Sequence, residues 1–129
     1  MILADTSAWV EFDRATGSPA DRRMTELIAS SGPLVTTEPV VMEVLAGARD
    51  EMREVDLRRL LLRFELVSFD SGIDFEGAAR IDRKCRSEGV TPRGMIDCMI
   101  ASVAWRRQAT LLSSDADLAR VMGIELDRR

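Results

Sequence analysis

Five carboxylates in this chain each follow an apolar or strand-like run. They are Asp5 after Met1-Ile2-Leu3-Ala4, Glu43 in Val40-Val41-Met42-Glu43, Asp97 after Met95-Ile96, and Asp115 and Asp117 after Leu111-Leu112-Ser113-Ser114. A charge placed where a chain is about to enter its core is costly unless it is paired or bound to a cation. The chain contains no histidine, so the usual neutral-pH base and the commonest transition-metal ligand are both missing. Carboxylates without histidine select hard cations, above all Mg²⁺ or Mn²⁺. The first expectation is therefore an acidic, oxygen-lined metal pocket.

Each acid also has a bland use. Asp5, beside Thr6, can cap a helix, and Glu43 can sit at a helix edge. Asp97 can be a first-turn aspartate after Pro92-Arg93-Gly94, and Asp115 or Asp117 can simply start the last helix. Asp97 is the most telling of the five, because Met95, Ile96, Cys98, Met99, Ile100 and Ala101 leave nearly every direction around it apolar. Clustered carboxylates raise one another's pKa unless a cation neutralises them. Mg²⁺ keeps much of its water and needs only a few carboxylates plus substrate phosphate oxygens. A metal so held lowers the pKa of a bound water and stabilises charge developing on a phosphodiester. Hydrolysis of a phosphodiester is the chemistry expected of such a site.

The elements that must position these acids can be read along the chain. Met1 to Ala4 is a short buried strand, and Thr6 or Ser7 can cap a helix from Ala8 to about Arg14. Ser18 caps and Pro19 opens a helix carrying Met24, Leu27 and Ile28, which ends near Ser31-Gly32-Pro33. Leu34 to Thr36 is a second strand, and Thr37 caps a helix opening with Glu38-Pro39, running to Ala46 and stopping at Gly47. Glu51 to Phe64 is an amphipathic helix with Val55, Leu57, Leu60, Leu61 and Phe64 on its apolar side, and Leu66 to Phe69 is a third strand. Ile73 to Ser87 is helical and ends at Gly89. Pro92 and Gly94 bound a loop before a nearly apolar helix from Met95 to Arg107. Thr110 to Leu112 is a fourth strand, a short helix follows from about Ala116, and Ile124 to Leu126 is a candidate final strand.

Strands alternating with helices at this spacing predict an α/β domain, a mostly parallel sheet covered on both faces. In such sheets ligands bind at the carboxyl ends of the strands, where Asp5 and the Asp115/Asp117 pair fall. Glu43 and Asp97 would reach the same crevice from neighbouring helices.

At 129 residues the chain is expected to be one domain, residues 1–129, and its 46% hydrophobic content is that of a globular protein. No apolar run approaches the roughly 20 residues needed to span a bilayer, and the N-terminus reaches Asp5 without a basic n-region. A cytoplasmic protein without membrane association is the expectation. Cys85 and Cys98 lack C-x-x-C spacing, so a structural zinc site is excluded by ligand number and buried, reduced thiols are expected. Net charge is −4, which argues against a broad basic face for nucleic acid. Every basic residue except Lys84 is arginine, whose planar fork suits phosphate contacts, although coding bias gives the same composition. Arg93 and Arg14 are the arginines nearest the proposed site in sequence and are the candidate substrate contacts.

The residues resemble the PIN-domain ribonucleases and, among them, the VapC-type toxins of type II toxin–antitoxin pairs. The resemblance is carried by Ile2-Leu3-Ala4-Asp5-Thr6-Ser7, by Thr37-Glu38-Pro39-Val40-Val41-Met42-Glu43-Val44-Leu45-Ala46-Gly47, by Met95-Ile96-Asp97-Cys98-Met99-Ile100-Ala101 and by Leu111-Leu112-Ser113-Ser114-Asp115-Ala116-Asp117-Leu118. It covers the whole chain, in order. It implies a three-layer α/β/α PIN-like fold with a short, mostly parallel sheet. It also implies that Asp5, Glu43, Asp97 and Asp115 surround Mg²⁺ or Mn²⁺, that Asp117 supports a metal or its water, and that Ser7 and Ser113 help hold the site. Leu118 departs from the aromatic the family often has there. The implied activity is endoribonuclease cleavage of tRNA or other structured RNA, which inhibits translation and growth. The implied partners are RNA, a second copy in a homodimer, and a VapB-like antitoxin in a heterotetramer or larger assembly. Trp9, Val10 and Phe12 are candidates for the antitoxin cleft, with ordinary core packing as the competing role.

A receiver-like phospho-signalling domain with an acidic Mg²⁺ pocket is the alternative. It requires adjacent acids after the first strand and a lysine at the end of the fifth, whereas Asp5 stands alone and Lys84 lies mid-helix. A dehalogenase-type phosphatase wants Asp-x-Asp where this chain has Asp5-Thr6-Ser7.

Overall fold

Both central strands are buried at every residue: Ile2, Leu3 and Ala4 in β1 (Ile2–Ala4), and Leu34, Val35 and Thr36 in β2 (Leu34–Thr36). Successive strand residues point to opposite faces, so continuous burial means that helices cover the sheet on both sides. A computed structural model describes residues 1–127 of the chain. Its remaining elements are α1 (Thr6–Asp13), α2 (Pro19–Ala29), α3 (Glu38–Ala46), α4 (Glu51–Leu61), β3 (Glu65–Leu66), α5 (Asp74–Ser87), α6 (Met95–Arg107), β4 (Thr110–Leu112) and α7 (Ala116–Met122). The sheet is parallel throughout, in the order β3-β2-β1-β4. The α/β expectation is met.

Register explains why two of the acids meet. Ile2, Leu3 and Ala4 pair with Thr110, Leu111 and Leu112, and the Asp5 amide donates to the Leu112 carbonyl at 3.0 Å. The chain leaves β1 and β4 side by side, at the point where the strand order reverses direction, which is where parallel sheets open a crevice. The core below is built from Leu3, Trp9, Met24, Val40, Cys98, Ile100 and Val103, among others. Cys85 and Cys98 are free, buried thiols. Among the described residues no helix is long and apolar enough to cross a membrane.

Several boundaries differ from the sequence expectation. Helix α1 starts at Thr6, because Asp5 itself is the cap and accepts from the Ala8 amide at 3.0 Å. Thr37 occupies the N-cap position of α3 without a side-chain cap bond. The third strand is Glu65–Leu66 rather than 66–69: the Val67 amide still reaches the Thr36 carbonyl at 2.7 Å, but the Phe69 amide donates to Glu38 Oε1, which ends the ladder. Helix α4 stops at Leu61, and Val55 is exposed. The segment 124–126 forms only a single parallel bridge between Leu126 and Leu111.

A buried charge network ties α5 to α6. Asp74 has no exposed surface and accepts from Arg106 (Nη2 to Oδ2 2.7 Å, Nε to Oδ1 3.1 Å), from Ser102 Oγ at 2.8 Å and from the Asp70 amide at 2.8 Å. Burial pushes this carboxyl up, but the hydrogen bonds outweigh it and hold the group below the ordinary range. At Gly77 a Cβ would collide with Ser102 Oγ of the neighbouring helix, so the site admits only glycine without a shift of Ser102 or α6.

Candidate metal centre

Asp5, Asp97 and Asp115 line one small pocket together with Ser113, Ile100, Leu111 and Leu118. Asp97 also lines the adjoining cleft of about 390 Å³, whose other walls are Thr6, Ser7, Glu43, Arg93, Gly94, Met95 and Ile96. Asp97 is thus common to both cavities and joins Glu43 to the other acids. Two larger clefts lie at the opposite, amino ends of the strands, near Pro33 and near Gln108, and each carries a single carboxylate, Glu65 or Glu125.

Each acid arrives on a different element. Asp5 ends β1 and accepts at Oδ1 from Ser7 Oγ (2.6 Å) and from the Ala8 amide. Glu43 projects from the middle of α3, with Oε1 accepting from Thr6 Oγ1 at 2.5 Å. Asp97 stands in the first turn of α6, after the N-cap Gly94. Asp115 is the N-cap residue of α7 but makes no cap hydrogen bond with its side chain. Ser7 Oγ accepts from the Ser114 amide at 3.2 Å and Ser113 Oγ from the Asp115 amide at 2.9 Å, so hydroxyls stitch the β1 and β4 exits together.

Electrostatics mark the site as strained toward neutrality. Burial raises the Asp97 carboxyl to about 6, with the charges of Asp5 and Glu43 adding, Arg93 opposing and Asp115 adding further. Burial also raises the Asp5 carboxyl, against hydrogen bonds from Ser113, Ser7 and the Ala8 amide and the charge of Arg93. An added cation relieves both.

The donor set suits Mg²⁺ or Mn²⁺. It is all oxygen, it is net anionic, and among the described residues Arg93 is the one cationic side chain lining either cavity. Among the described residues no three acids sit closely enough to form a preformed cage. Mg²⁺ asks for no such cage, since it binds through one or two carboxylates and reaches other groups through its waters.

Not every expected residue is gathered here. Asp117 is exposed and faces Arg120 at 3.8 Å, lining neither cavity. The register of α7 turns it to solvent while burying its neighbours Leu118 and Ala119. Arg14 caps the far end of α1 and is likewise outside both cavities. Trp9 is only 2% exposed and packs edge-on against Phe12 and Phe64, which makes it core rather than a cleft residue. Val10 and Phe12 are half-buried. The sequence offers Thr6 only as a possible cap. Its hydroxyl is free to reach α3 because Asp5 already caps the helix, and a hydroxyl directly after a strand-end acid was the available signal. A receiver-like site also fails on geometry: Lys84 is exposed inside α5 and lines neither cavity.

Comparison with known proteins agrees with this architecture. The model of the PIN domain family matches residues 2–124. Ribonuclease VapC11 of Mycobacterium tuberculosis and VapC ribonuclease Mb1587 of Mycobacterium bovis are each 40% identical, over 97% of this chain and 96% of their own length. Among solved structures, Mycobacterium tuberculosis VapC20, described as a Sarcin-Ricin loop cleaving toxin, superposes with a TM-score of 0.75 at 18% identity over 100% of both chains. The Rickettsia felis VapBC2 complex, bound to a DNA fragment from its promoter, gives 0.74 at 20% identity over 98% of both chains. The chain belongs to the PIN-domain family and, within it, to the VapC ribonucleases of toxin–antitoxin systems.

Proposed function

We propose that this chain is a Mg²⁺- or Mn²⁺-dependent endoribonuclease toxin that cuts tRNA or another structured RNA in the cytoplasm and so stops translation. The observation that carries the reading is that Asp97 shares one pocket with Asp5 and Asp115 and the adjoining cleft with Glu43. When bound among these acids, the metal supplies an activated water and neutralises charge developing on the phosphodiester. The chain's own residues do the rest. Ser7 and Ser113 orient Asp5, and Arg93 stands at the cleft to take a phosphate. The purified chain should cleave RNA with added Mg²⁺ or Mn²⁺ and lose that activity in excess EDTA. Undiminished cleavage in EDTA would overturn the reading.

The reading extends to a homodimer held in check by a VapB-like antitoxin, in a heterotetramer or larger complex. Support comes from the solved relatives, which include toxin–antitoxin complexes from Rickettsia felis and Klebsiella pneumoniae. The seat for an apolar antitoxin segment is not at Trp9. It is the cleft between α3, α4 and the free edge of β3, where Val41, Met42, Leu61, Leu62, Phe64 and Leu66 form the walls. Met42, Leu62 and Leu66 are exposed there, an apolar wall that an apolar segment of a partner can cover.

A further inference from the structure

We infer that Thr6 is a positioning residue for the ribonuclease reaction, fixing Glu43 so that the acidic site can hold its cation. The inference rests on the metal-dependent reading above and assigns to Thr6 a task beyond starting a helix.

Glu43 differs from the other acids in how it reaches the site. Asp5 follows β1 directly, Asp115 stands three residues past the end of β4 at the start of α7, and Asp97 lies in the first turn of a helix. Glu43 comes from the middle of α3, on a longer side chain whose rotamers must be fixed at an entropic cost. Thr6 Oγ1 donates to Glu43 Oε1 at 2.5 Å, across 37 residues of sequence. A hydroxyl donating to a carboxylate at this distance is in the strong, charge-assisted range. Among the described residues Oε2 of Glu43 receives no hydrogen bond, so it keeps its lone pairs for a cation or a metal-bound water.

The Thr6 hydroxyl has no competing duty. The Ala8 amide is already capped by Asp5, and Ser7 serves Asp5 and the Ser114 amide. The two hydroxyls that begin α1 therefore serve different acids, Ser7 the one before it and Thr6 the one on α3. Both residues line the cleft that Glu43 shares with Asp97. Groups that orient metal ligands change metal affinity or activity by roughly 10- to 100-fold when removed.

The test is Mn²⁺ binding to the metal-free full chain, measured by calorimetry and by the rise in Tm on adding Mn²⁺. Thr6→Val removes the hydroxyl while keeping the shape, Thr6→Ala is a second hydroxyl-free variant, and Thr6→Ser restores the donor. Both hydroxyl-free variants should weaken Mn²⁺ binding about 10-fold, and Thr6→Ser should return it to near wild type. The Mn²⁺ concentration for half-maximal cleavage should rise by the same factor. On a Glu43→Ala background, Thr6→Val should cause no further loss, because Thr6 acts through Glu43. A purely structural Thr6 would instead lower the metal-free Tm and leave Mn²⁺ affinity where it was, which overturns the inference. Equal and additive losses in the two backgrounds overturn it as well. If wild type binds no Mn²⁺ at all, the metal-dependent reading falls and takes this inference with it. If wild type binds Mn²⁺ and Thr6→Val binds it equally well, only the role of Thr6 falls.

Discussion

Asp97 and Asp5, carried on α6 and at the end of β1, face the same small pocket, and the charge of Asp5 helps lift the Asp97 carboxyl to about 6. Burial and the charge of Asp5 both raise the cost of ionising Asp97, and the fold gains nothing from this arrangement alone. Function is the reason to keep them. Asp97→Asn preserves the shape and removes one charge, so RNA cleavage should fall at least about 100-fold. The metal-free Tm should stay level or rise, because a repelling charge has gone. Full cleavage by the variant, assayed on a labelled RNA, would show that Asp97 is no part of the reacting site.

Metal-free stability should carry the signature of this pair in its pH dependence. The Asp97 carboxyl moves from an ordinary 3.8 to about 6, so between those values the folded chain binds more protons than the unfolded one. Stability contributed by the protonated group is therefore present below about pH 4 and lost as pH rises through about 6. Asp5, also raised by burial, acts in the same direction. Asp74, held low, acts with the opposite sign and only below the ordinary carboxylate range. Comparing Tm across pH for wild type and Asp97→Asn isolates the effect: the wild type should lose more stability toward neutrality. Parallel curves would mean that Asp97 titrates normally.

Metal should relieve the same repulsion. A cation that binds only the folded state raises Tm by mass action, so millimolar Mg²⁺ or Mn²⁺ should stabilise the wild type. Asp5→Asn should respond less, while still capping α1, since asparagine is as good an N-cap as aspartate. Identical melting with and without metal would argue strongly against a shared site.

RNA binding by a chain of net charge −4 must be local. Arg93 lines the cleft beside Glu43 and Asp97, whereas Arg14 does not. Arg93→Ala should weaken RNA affinity and reduce its salt slope by about one, the loss of one phosphate contact. Arg14→Ala should leave both unchanged. Affinity measured over a salt series decides, and superimposed lines for Arg93→Ala and wild type would remove Arg93 from substrate binding.

The apolar cleft makes a separable prediction. Leu62→Glu places a charge on an exposed wall of it, in a cleft that shares no lining residue with the two acid-lined cavities, and should abolish capture of the antitoxin co-expressed with this chain while RNA cleavage persists. Unimpaired co-purification would place the antitoxin elsewhere.

The Asp74–Arg106 pair should govern stability alone. Arg106→Met strands a carboxylate with no exposed surface, and removing one partner of a buried pair costs about 3 kcal/mol or more. Chemical denaturation at neutral pH measures it; a change under about 1 kcal/mol would show that Ser102 and the Asp70 amide suffice.

Much of this protein is dictated locally. Short apolar runs at Ile2–Ala4, Leu34–Thr36 and Thr110–Leu112 read directly as strands, and Ser18-Pro19 places the start of α2 because cap and proline act within one turn. The unusual position of Asp97 among apolar neighbours marks the site in the sequence itself, since burial of a charge is legible wherever its surroundings are apolar. What the local pattern could not decide was orientation and competition. Asp115 and Asp117 are both read as acids of the site, and the packing of Leu118 and Ala119 into the core leaves Asp115 lining the pocket and turns Asp117 to solvent. Trp9 and Leu62 are both large and apolar, yet tertiary packing buries the first and exposes the second. The bond from Thr6 to Glu43 spans two elements far apart in sequence, and no periodicity within either helix could reveal it. The local pattern specifies which acids exist and which strands and helices carry them; the parallel register of β1 with β4, and the packing of α3 and α6 across it, bring those acids to one site.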